Sequence, residues 1–417
     1  MATLYWRGGG TAVVQVANAT FGTYDVTTTR SITIGGYSIS AADSGGTLTA
    51  ALAALAVLLN ASTHPYFAAI TWTSNATQII GTADTPGVPF TFLAAVSGGT
   101  GTVPNTYTVA TANAGPNDWN TLANWSTGAL PVDTDTIIFK DNDINVAWGL
   151  DQNGIQPALL RIDQTYTGTI GLRRDQFAQD ADGTNLASGY QEYRDQYLKI
   201  MPVLCEIGQS FAANDANGSG RLKINFHTDP CTCTIYNTAS NPTDAGQTAV
   251  QILCDDAATD IFVRLAPGGV GVAIGPGETS TLRKISISDI TTASKVFAGP
   301  GTTLTTWEQK GGINLISPAA TVTTTTVEGG TLTVEGTQVL TTLNCYGGTV
   351  YSNSTGTIGT ANIDGSAAVL DFQQSNQART VTTLNHKKGT LNADGAVLTI
   401  TTFNDPANKY TLVATAE

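Results

Sequence analysis

The stretch TTWEQKGGINLI, residues 305–316, belongs to a repeat that fills the C-terminal part of the sequence. It returns as TTTVEGGTLTV at residues 324–334 and as TTLNCYGGTVY at residues 341–351. The glycine pairs begin at positions 311, 329 and 347, so they are evenly spaced. Weaker copies follow at residues 361–370, 382–391 and 401–412. A period of about 18 to 24 residues with strand-type residues is typical of one coil of a parallel β-helix.

Each coil is expected to contain three short strands joined by tight turns, with Thr and Val alternating outward and inward. Glycine suits these turns because it adopts positive φ without steric strain. We assign the coil turns to Gly311, Gly312, Gly329, Gly330, Gly347, Gly348, Gly365 and Gly389. The alternative is a β-sandwich whose turns happen to be regularly spaced.

Asparagines recur beside the predicted strand ends, at a similar point of successive coils. They are Asn344, Asn362, Asn385 and Asn404. Equivalent side chains on stacked strands lie one strand spacing apart, so their amides can hydrogen-bond along the coil axis. The spacing therefore predicts an asparagine ladder.

Residues 1–112 are predicted to form an α+β module with a β-hairpin, one helix and further strands. Gly35-Gly36 lies between two strand-like runs, which is the signal of a two-residue hairpin. Residues 47–61 are rich in Ala and Leu, and Thr47 or Ser44 can cap their N-terminal end, so they predict a helix. The helix has almost no charged face. We therefore expect it to be buried on both sides, by the sheet and by a neighbouring domain or subunit.

Residues 113–417 are assigned to the parallel β-helix, in which two segments differ from the coils. Trp119 and Trp125 lie in a polar region, residues 115–145, and predict an aromatic cap. Such a cap is needed because an open solenoid end would expose the core to water. Residues 173–198 carry many charges and no strand alternation, so they predict a loop excursion from the solenoid.

The composition excludes several classes of protein. Only 12% of the residues are charged and the net charge is -13, whereas nucleic-acid binding needs clustered Lys and Arg. The hydrophobic fraction of 41% argues against a disordered chain. The most apolar run, residues 48–59, is too short to span a bilayer, and the N-terminus does not resemble a secretory signal. We expect a protein made in a cytoplasm, with neither a nucleic-acid nor a membrane partner.

The N-terminal unit, with LTAALAALAVLLNAS at residues 48–62 and TPGVPFTF at residues 85–92, resembles small α+β modules of bacteriophage tail and baseplate proteins. The segment WNTLANWSTGALPVDTDTIIF, residues 119–139, and the Thr/Gly-rich coils are similar to phage and prophage structural proteins with a right-handed parallel β-helix. This resemblance covers most of the chain. It implies a virion component, assembled in the host cytoplasm, as a head decoration, fibre or tail-side protein. By analogy with fibrous viral β-proteins it also implies a homo-oligomer, with a trimer favoured.

Candidate catalytic and metal-binding groups are scattered along the sequence. The carboxylates of the coils do not recur in register, as the active site of a β-helix lyase or hydrolase would need. His64, His227 and His386 do not lie at metal-ligand spacing, and the five cysteines lack zinc spacing. We therefore predict that the protein is not an enzyme and uses neither a metal nor a cofactor.

Four aromatic residues are candidates for binding host-surface glycans. They are Trp148, Tyr190, Tyr193 and Tyr197. Sugar binding uses exposed aromatic rings with polar neighbours, and the three tyrosines lie in or beside the predicted excursion. The alternative is that these rings pack on the side of the solenoid or in a subunit interface.

Together, these features predict a mainly β, non-enzymatic component of a bacteriophage virion, which decorates or reinforces the particle and contacts other virion proteins. The alternative is a receptor-binding tail fibre or adhesin that recognises host glycans, with or without depolymerase activity. The scarcity of charge favours assembly, because it removes most of the side chains that a β-helix enzyme would need.

Overall fold

A computed structural model describes residues 1–172, 192–208, 221–236, 248–264, 270–275, 279–288, 294–317, 320–393 and 396–406. Within these ranges the chain is mainly β and forms a parallel β-solenoid of about 9 turns, with a small α+β region near the N-terminus. The fold class that the repeat predicts is therefore confirmed.

The α+β module follows a first strand, β1 (Thr3–Tyr5). Its strands are β2 (Val16–Gly22), β3 (Thr29–Ile34), β4 (Tyr37–Ala42), β5 (Ile70–Ser74), β6 (Gln78–Ala83), β7 (Leu93–Ser97) and β8 (Thr102–Thr111). Its helices are α1 (Leu48–Asn60) and α2 (Pro65–Ala68). The strands form two antiparallel sheets, in the orders β5-β6-β2-β8 and β4-β3-β7. The β3–β4 hairpin turns at Gly35 and Gly36, which both have positive φ.

Helix α1 begins after Thr47, whose side chain accepts a hydrogen bond from the backbone amide of Ala50. One face of the helix packs in the core of the module through Leu52, Leu55 and Leu59, among others. The opposite face is open, with Val57 66% exposed. The sheet therefore buries one face as expected, the described residues do not bury the other, and burial of that face by a neighbouring subunit stays a prediction. The module also has a second, short helix that the sequence did not predict.

The solenoid strands are short and regularly spaced until the last coils. They are β9 (Thr136–Phe139), β10 (Asp151–Gln152), β11 (Leu159–Ile162), β12 (Leu198–Ile200), β13 (Leu204–Ile207), β14 (Leu222–Asn225), β15 (Thr232–Ile235), β16 (Val250–Leu253), β17 (Asp260–Val263), β18 (Val270–Ile274), β19 (Ser280–Ile287), β20 (Ser294–Ala298), β21 (Thr302–Gln309), β22 (Ile313–Ile316), β23 (Thr321–Val327), β24 (Thr331–Val334), β25 (Leu340–Cys345), β26 (Thr349–Ser352), β27 (Ile358–Asp371), β28 (Arg379–Asn392) and β29 (Leu398–Asn404). A 3₁₀ turn, Leu122–Asn124, precedes them.

Each coil contributes one strand to each of two parallel sheets, and not the three strands expected, so a strand pairs with the next but one in sequence. The first sheet contains β9, β11 and the odd-numbered strands onward, and continues into β28 and β29. The second contains β10, β12 and the even-numbered strands, and ends in the later halves of β27 and β28. The pairing Thr324↔Thr342↔Thr360 shows that the sequence period is one coil. Alternate residues point inward, and they form one continuous apolar core.

The first strand does not belong to the α+β module. Strand β1 pairs in parallel with β9, with Leu4 opposite Ile137, and extends the first sheet of the solenoid by one strand. Leu4 and Trp6 lie in the solenoid core, whereas the module has its own separate core. The 1–112 segment is therefore divided in the structure, because the chain starts on the solenoid before it forms the module.

Glycines make the coil turns in the regular part of the repeat. Gly312, Gly330 and Gly348 adopt positive φ between paired strands, and a Cβ at Gly330 would lie 2.4 Å from the carbonyl carbon of Gly311 in the coil below. Gly365 and Gly389 differ, because β27 and β28 run through them and the coil turn becomes an irregularity within a strand. Their assignment as separate turns is corrected accordingly.

Candidate functional surfaces

The asparagines form a hydrogen-bonded row on the outer face of the first sheet. Each amide nitrogen of Asn362, Asn385 and Asn404 donates to the amide oxygen of the asparagine in the preceding coil at 2.7 Å. At the start of the row, the amide of Asn344 donates to Oγ1 of Thr326 at 3.2 Å. The row continues because the strands pair exactly one repeat apart and in register.

Threonines occupy all positions but Val339 and Gly359 in three further outward columns beside the asparagines. The columns are Thr303, Thr321, Val339, Thr357, Thr380 and Thr399; Thr305, Thr323, Thr341, Gly359, Thr382 and Thr401; and Thr306, Thr324, Thr342, Thr360, Thr383 and Thr402. With the fourth column, Glu308, Thr326, Asn344, Asn362, Asn385 and Asn404, they define a surface that we name the threonine corner. Glu308 is the one ionisable residue among these positions.

The threonine corner is bent. In each coil two consecutive residues, such as Thr305 and Thr306, both point outward between the buried Leu304 and Trp307. The register is continuous here, but one residue of each outward pair makes no ladder pairing: Leu304 pairs with Val322 and Thr306 with Thr324, whereas Thr305 has no partner in the ladder. Two outward residues between two inward ones mean that the strand turns around the core, because a straight strand alternates. The first two columns therefore form one facet and the last two form another.

Apart from Glu308, at one end of the fourth column, charged residues border this surface and do not enter it. In the preceding coil the guanidinium of Arg283 contacts Asp260 at 2.5 Å, and the ammonium of Lys284 contacts Glu308 at 2.7 Å. Beyond the asparagine column, Lys310 pairs with Glu328 and Lys387 pairs with Asp364. The result is an uncharged centre with a rim of ion pairs.

An aromatic cluster closes the N-terminal end of the solenoid. The rings of Trp6 and Trp119 both lie edge-on to Trp125, with centroids 5.1 Å and 4.7 Å away, and Phe139 packs beside them. The indole N–H groups of Trp6 and Trp125 donate to the carbonyls of Ile144 and Trp119. Trp119 and Trp125 thus lie where a cap is expected. Trp6 was not predicted as a member of the cap, because it is distant in sequence from Trp119 and Trp125. The pairing of β1 with β9 places it there.

The candidate glycan-binding aromatics lie at the junction between the module and the solenoid. Trp148 and Tyr197 are buried, and the ring of Tyr193 packs against Tyr66 of the module. The guanidinium of Arg194 lies 4.3 Å from the Trp148 ring centroid. Burial raises the pKa of the Tyr193 hydroxyl to about 12.

The structure therefore shows internal packing, and not an exposed glycan-binding surface, for Trp148, Tyr193 and Tyr197. Tyr190, with residues 173–191 of the predicted excursion, lies outside the described residues. At the end of that segment, Glu192 and Arg194 form an ion pair at 2.8 Å, and Arg194 also donates to the carbonyl of Pro89 in the module. This end of the segment ties the module to the solenoid.

A cleft of about 380 Å³ lies at the capped end of the solenoid. Its lining includes the half-buried ring of Tyr5 and the exposed cations Arg7 and Lys140. The ammonium of Lys140 lies 5.1 Å from the Tyr5 ring centroid and 3.7 Å from the carboxylate of Asp141. The cleft combines an aromatic face with two cations in a chain of net negative charge. Sequence reasoning missed it because its residues come from two solenoid segments, one before the module and one after it.

The five cysteines are buried and not in disulfides. Cys205 and Cys233 lie in register on neighbouring inward-facing positions. Burial raises the pKa of the Cys254 thiol to about 12 and that of Cys345 to about 11, so these thiols stay protonated at neutral pH. Among the described residues, no group of three or more His, Cys, Asp or Glu side chains could hold a metal ion.

No protein-family model, curated protein or solved structure matches this chain. None of the helices in the described ranges has the length and apolarity that a membrane crossing needs.

Proposed function

We propose that this protein is a non-enzymatic structural component of a bacteriophage virion, and that it decorates or reinforces the particle as an oligomeric β-solenoid. The observation that carries the proposal is the stack of in-register parallel coils, closed by an aromatic cap at its N-terminal end. A coil bonded to both neighbours resists bending and local opening, which suits a load-bearing element.

The surface chemistry also supports a role in assembly. Over six consecutive coils the threonine corner presents hydroxyl, methyl and amide groups with a single carboxylate, although the chain carries a net charge of -13. A broad uncharged surface on an acidic protein removes the electrostatic penalty of contact with other acidic proteins.

Mass spectrometry and cryo-electron microscopy of purified particles from the phage that encodes the chain test this proposal. We expect the protein in the particles, with density that fits a β-solenoid rod. A copy number in the range of the capsid or tube subunits indicates decoration of that structure, and a few copies indicate a fibre. Absence of the chain from purified particles would refute the proposal.

The second candidate is a receptor-binding fibre that recognises acidic glycans, and the cleft at Tyr5 favours it. An aromatic face can stack on a sugar ring, while Arg7 and Lys140 can pair with a sugar carboxylate. Glucuronic-acid oligosaccharides titrated by calorimetry test this candidate. Arg7→Gln should weaken binding about tenfold, since a hydrogen bond to a charged group contributes about 1.5 kcal/mol.

The exposed lysine Lys388, on a late solenoid strand, offers a matched control for this titration. Lys388→Gln also removes one positive charge, but at a residue that is not part of the cleft lining. It should therefore leave the affinity for the oligosaccharide unchanged. Equal affinities for the wild type, Arg7→Gln and Lys388→Gln, or no heat of binding in the wild type, would rule the glycan candidate out.

A further inference from the structure

We propose that the first facet of the threonine corner binds the prism face of ice. The facet consists of the first two columns, in which ten of the twelve positions are threonine. Its ligand is crystalline water, so the inference goes beyond the proposed virion role. The second facet, which carries the asparagine ladder, remains for contacts within a particle.

Strand propensity alone does not account for the threonines of this facet. An outward column of the second sheet, built by the same coils, holds Phe297, Leu315, Thr333, Tyr351, Asp371 and Asn392. β-Branched and aromatic residues suit the strands of both sheets. The first facet is therefore uniform where the other sheet, under the same backbone constraint, is mixed. A uniform row of side chains is what a ligand with a regular repeat requires.

The threonines of the facet form a regular grid. Thr303 pairs with Thr321 and Thr380 pairs with Thr399, so equivalent side chains of neighbouring coils lie one strand spacing apart, about 4.8 Å. Within a coil, one inward residue separates Thr303 from Thr305, which places the two side chains about 6.6 Å apart. The grid therefore has one repeat along the solenoid axis and a longer one across it.

Ice presents a grid of nearly the same dimensions. Each oxygen is hydrogen-bonded to a tetrahedron of others at about 2.75 Å, so the crystal repeats at about 4.5 Å in the basal plane and at about 7.3 Å along the hexagonal axis. These two repeats are perpendicular and define the prism face. Along the solenoid axis the two grids differ by about 0.3 Å per coil. Measured from the middle of four consecutive coils, the offset stays below about 0.5 Å, which is the spread of O–H···O distances.

Threonine supplies both groups that contact with ice requires. Its hydroxyl can donate and accept a hydrogen bond, so it can replace a water of the lattice, and its methyl group gains by leaving liquid water. Branching at Cβ restricts χ1, so little side-chain freedom is lost on binding. The successive threonines Thr305, Thr323 and Thr341 are all exposed, and none of the positions in the two columns is ionisable. The centre of the facet is therefore open and free of strongly hydrated charge.

Partition of the full chain into slowly grown ice, together with inhibition of ice recrystallisation, tests the inference. We expect the wild type to enter the ice and to stop recrystallisation, whereas an inert globular protein of similar mass stays in the liquid. Thr323→Tyr places a ring on the open centre of the facet. It should raise the concentration needed to stop recrystallisation by about tenfold or more, which corresponds to a loss of about 1.4 kcal/mol. The control is Thr331→Tyr, in the same coil but on the outer face of the second sheet, which should act like the wild type.

Circular dichroism melting of both variants separates loss of ice binding from loss of folding, and Thr382→Tyr, at an exposed threonine of a later coil, repeats the test if Thr323→Tyr melts early. A wild type that stays in the liquid and leaves recrystallisation unchanged overturns the inference. So does a folded facet variant with wild-type activity, or an equal loss in Thr331→Tyr, because the activity would then not belong to the facet. A chain present in virions that does not bind ice refutes this inference alone, and an ice-binding chain absent from virions refutes the proposed function alone.

Discussion

Replacing Asn362 tests whether the asparagine ladder stabilises the solenoid. Its amide donates to Asn344 and its oxygen accepts from Asn385, both at 2.7 Å. Asn362→Ala removes both hydrogen bonds and leaves a neighbouring donor and acceptor unpaired at a half-buried position. At about 0.5–1.5 kcal/mol for each bond, the free energy of unfolding should fall by about 1–3 kcal/mol.

The end of the ladder supplies the internal comparison. Asn404 is exposed and makes one ladder bond, as donor to Asn385, so Asn404→Ala should cost about 1 kcal/mol or less. Urea unfolding gives the global effect, and hydrogen exchange measured by mass spectrometry gives the local one. Exchange in β25, β27 and β28 should accelerate in Asn362→Ala, because the ladder bonds join these three strands.

Equal losses in Asn362→Ala and Asn404→Ala would refute this reasoning, because the ladder would then contribute no more than a single exposed hydrogen bond. Unchanged hydrogen exchange in β25, β27 and β28, together with a lower global free energy of unfolding, would also refute it. The effect of the substitution would then lie outside the ladder. Unfolding in steps is compatible with the prediction, because coils interact mainly with their neighbours.

Three further predictions concern the core, the cap and the pH dependence. Thr325 is fully buried, and its hydroxyl has no hydrogen-bond partner within the described part of the chain; Thr325→Val should therefore raise the free energy of unfolding by about 1 kcal/mol in urea, and a loss would contradict this. Trp119→Ala should cost about 3–5 kcal/mol by opening the cap, whereas Leu122→Ala at the exposed neighbouring turn should be nearly neutral, as measured by thermal melting. Burial raises the pKa of the Asp118 carboxyl, so the folded chain binds this proton more tightly than the unfolded chain. The free energy of unfolding should therefore fall as pH rises from the ordinary pKa of 3.8 through the raised pKa of the folded chain. Asp118→Asn should flatten that part of the plot of unfolding free energy against pH. A plot for the variant that runs parallel to that of the wild type would contradict this prediction.

The repeat part of the fold could be predicted because its cause is local. A glycine pair such as Gly329-Gly330 marks a turn by its backbone freedom, and alternating Thr and Val mark a strand. The recurrence of asparagine after each strand then predicts that Asn344, Asn362, Asn385 and Asn404 stack, and they do so although successive coils place them 18, 23 and 19 residues apart.

The candidate site could be predicted only in part. Aromatic residues near a charged segment resemble an exposed sugar-binding surface, yet Trp148 and Tyr197 are buried. Their burial depends on where the module packs, and no local pattern encodes that position. The same holds for the cleft, since Tyr5 and Lys140 meet only because β1 pairs with β9 across the whole length of the module.

The sequence by itself therefore determined the coil, its turns in the regular part of the repeat and the composition of its faces, because period and alternation are properties of neighbouring residues. Only the tertiary structure decided which strand begins the solenoid, which aromatic rings are buried, and that the paired threonines turn a corner. Those features depend on contacts between distant segments and on the closure of each coil around a shared core, which spacing along the chain does not specify.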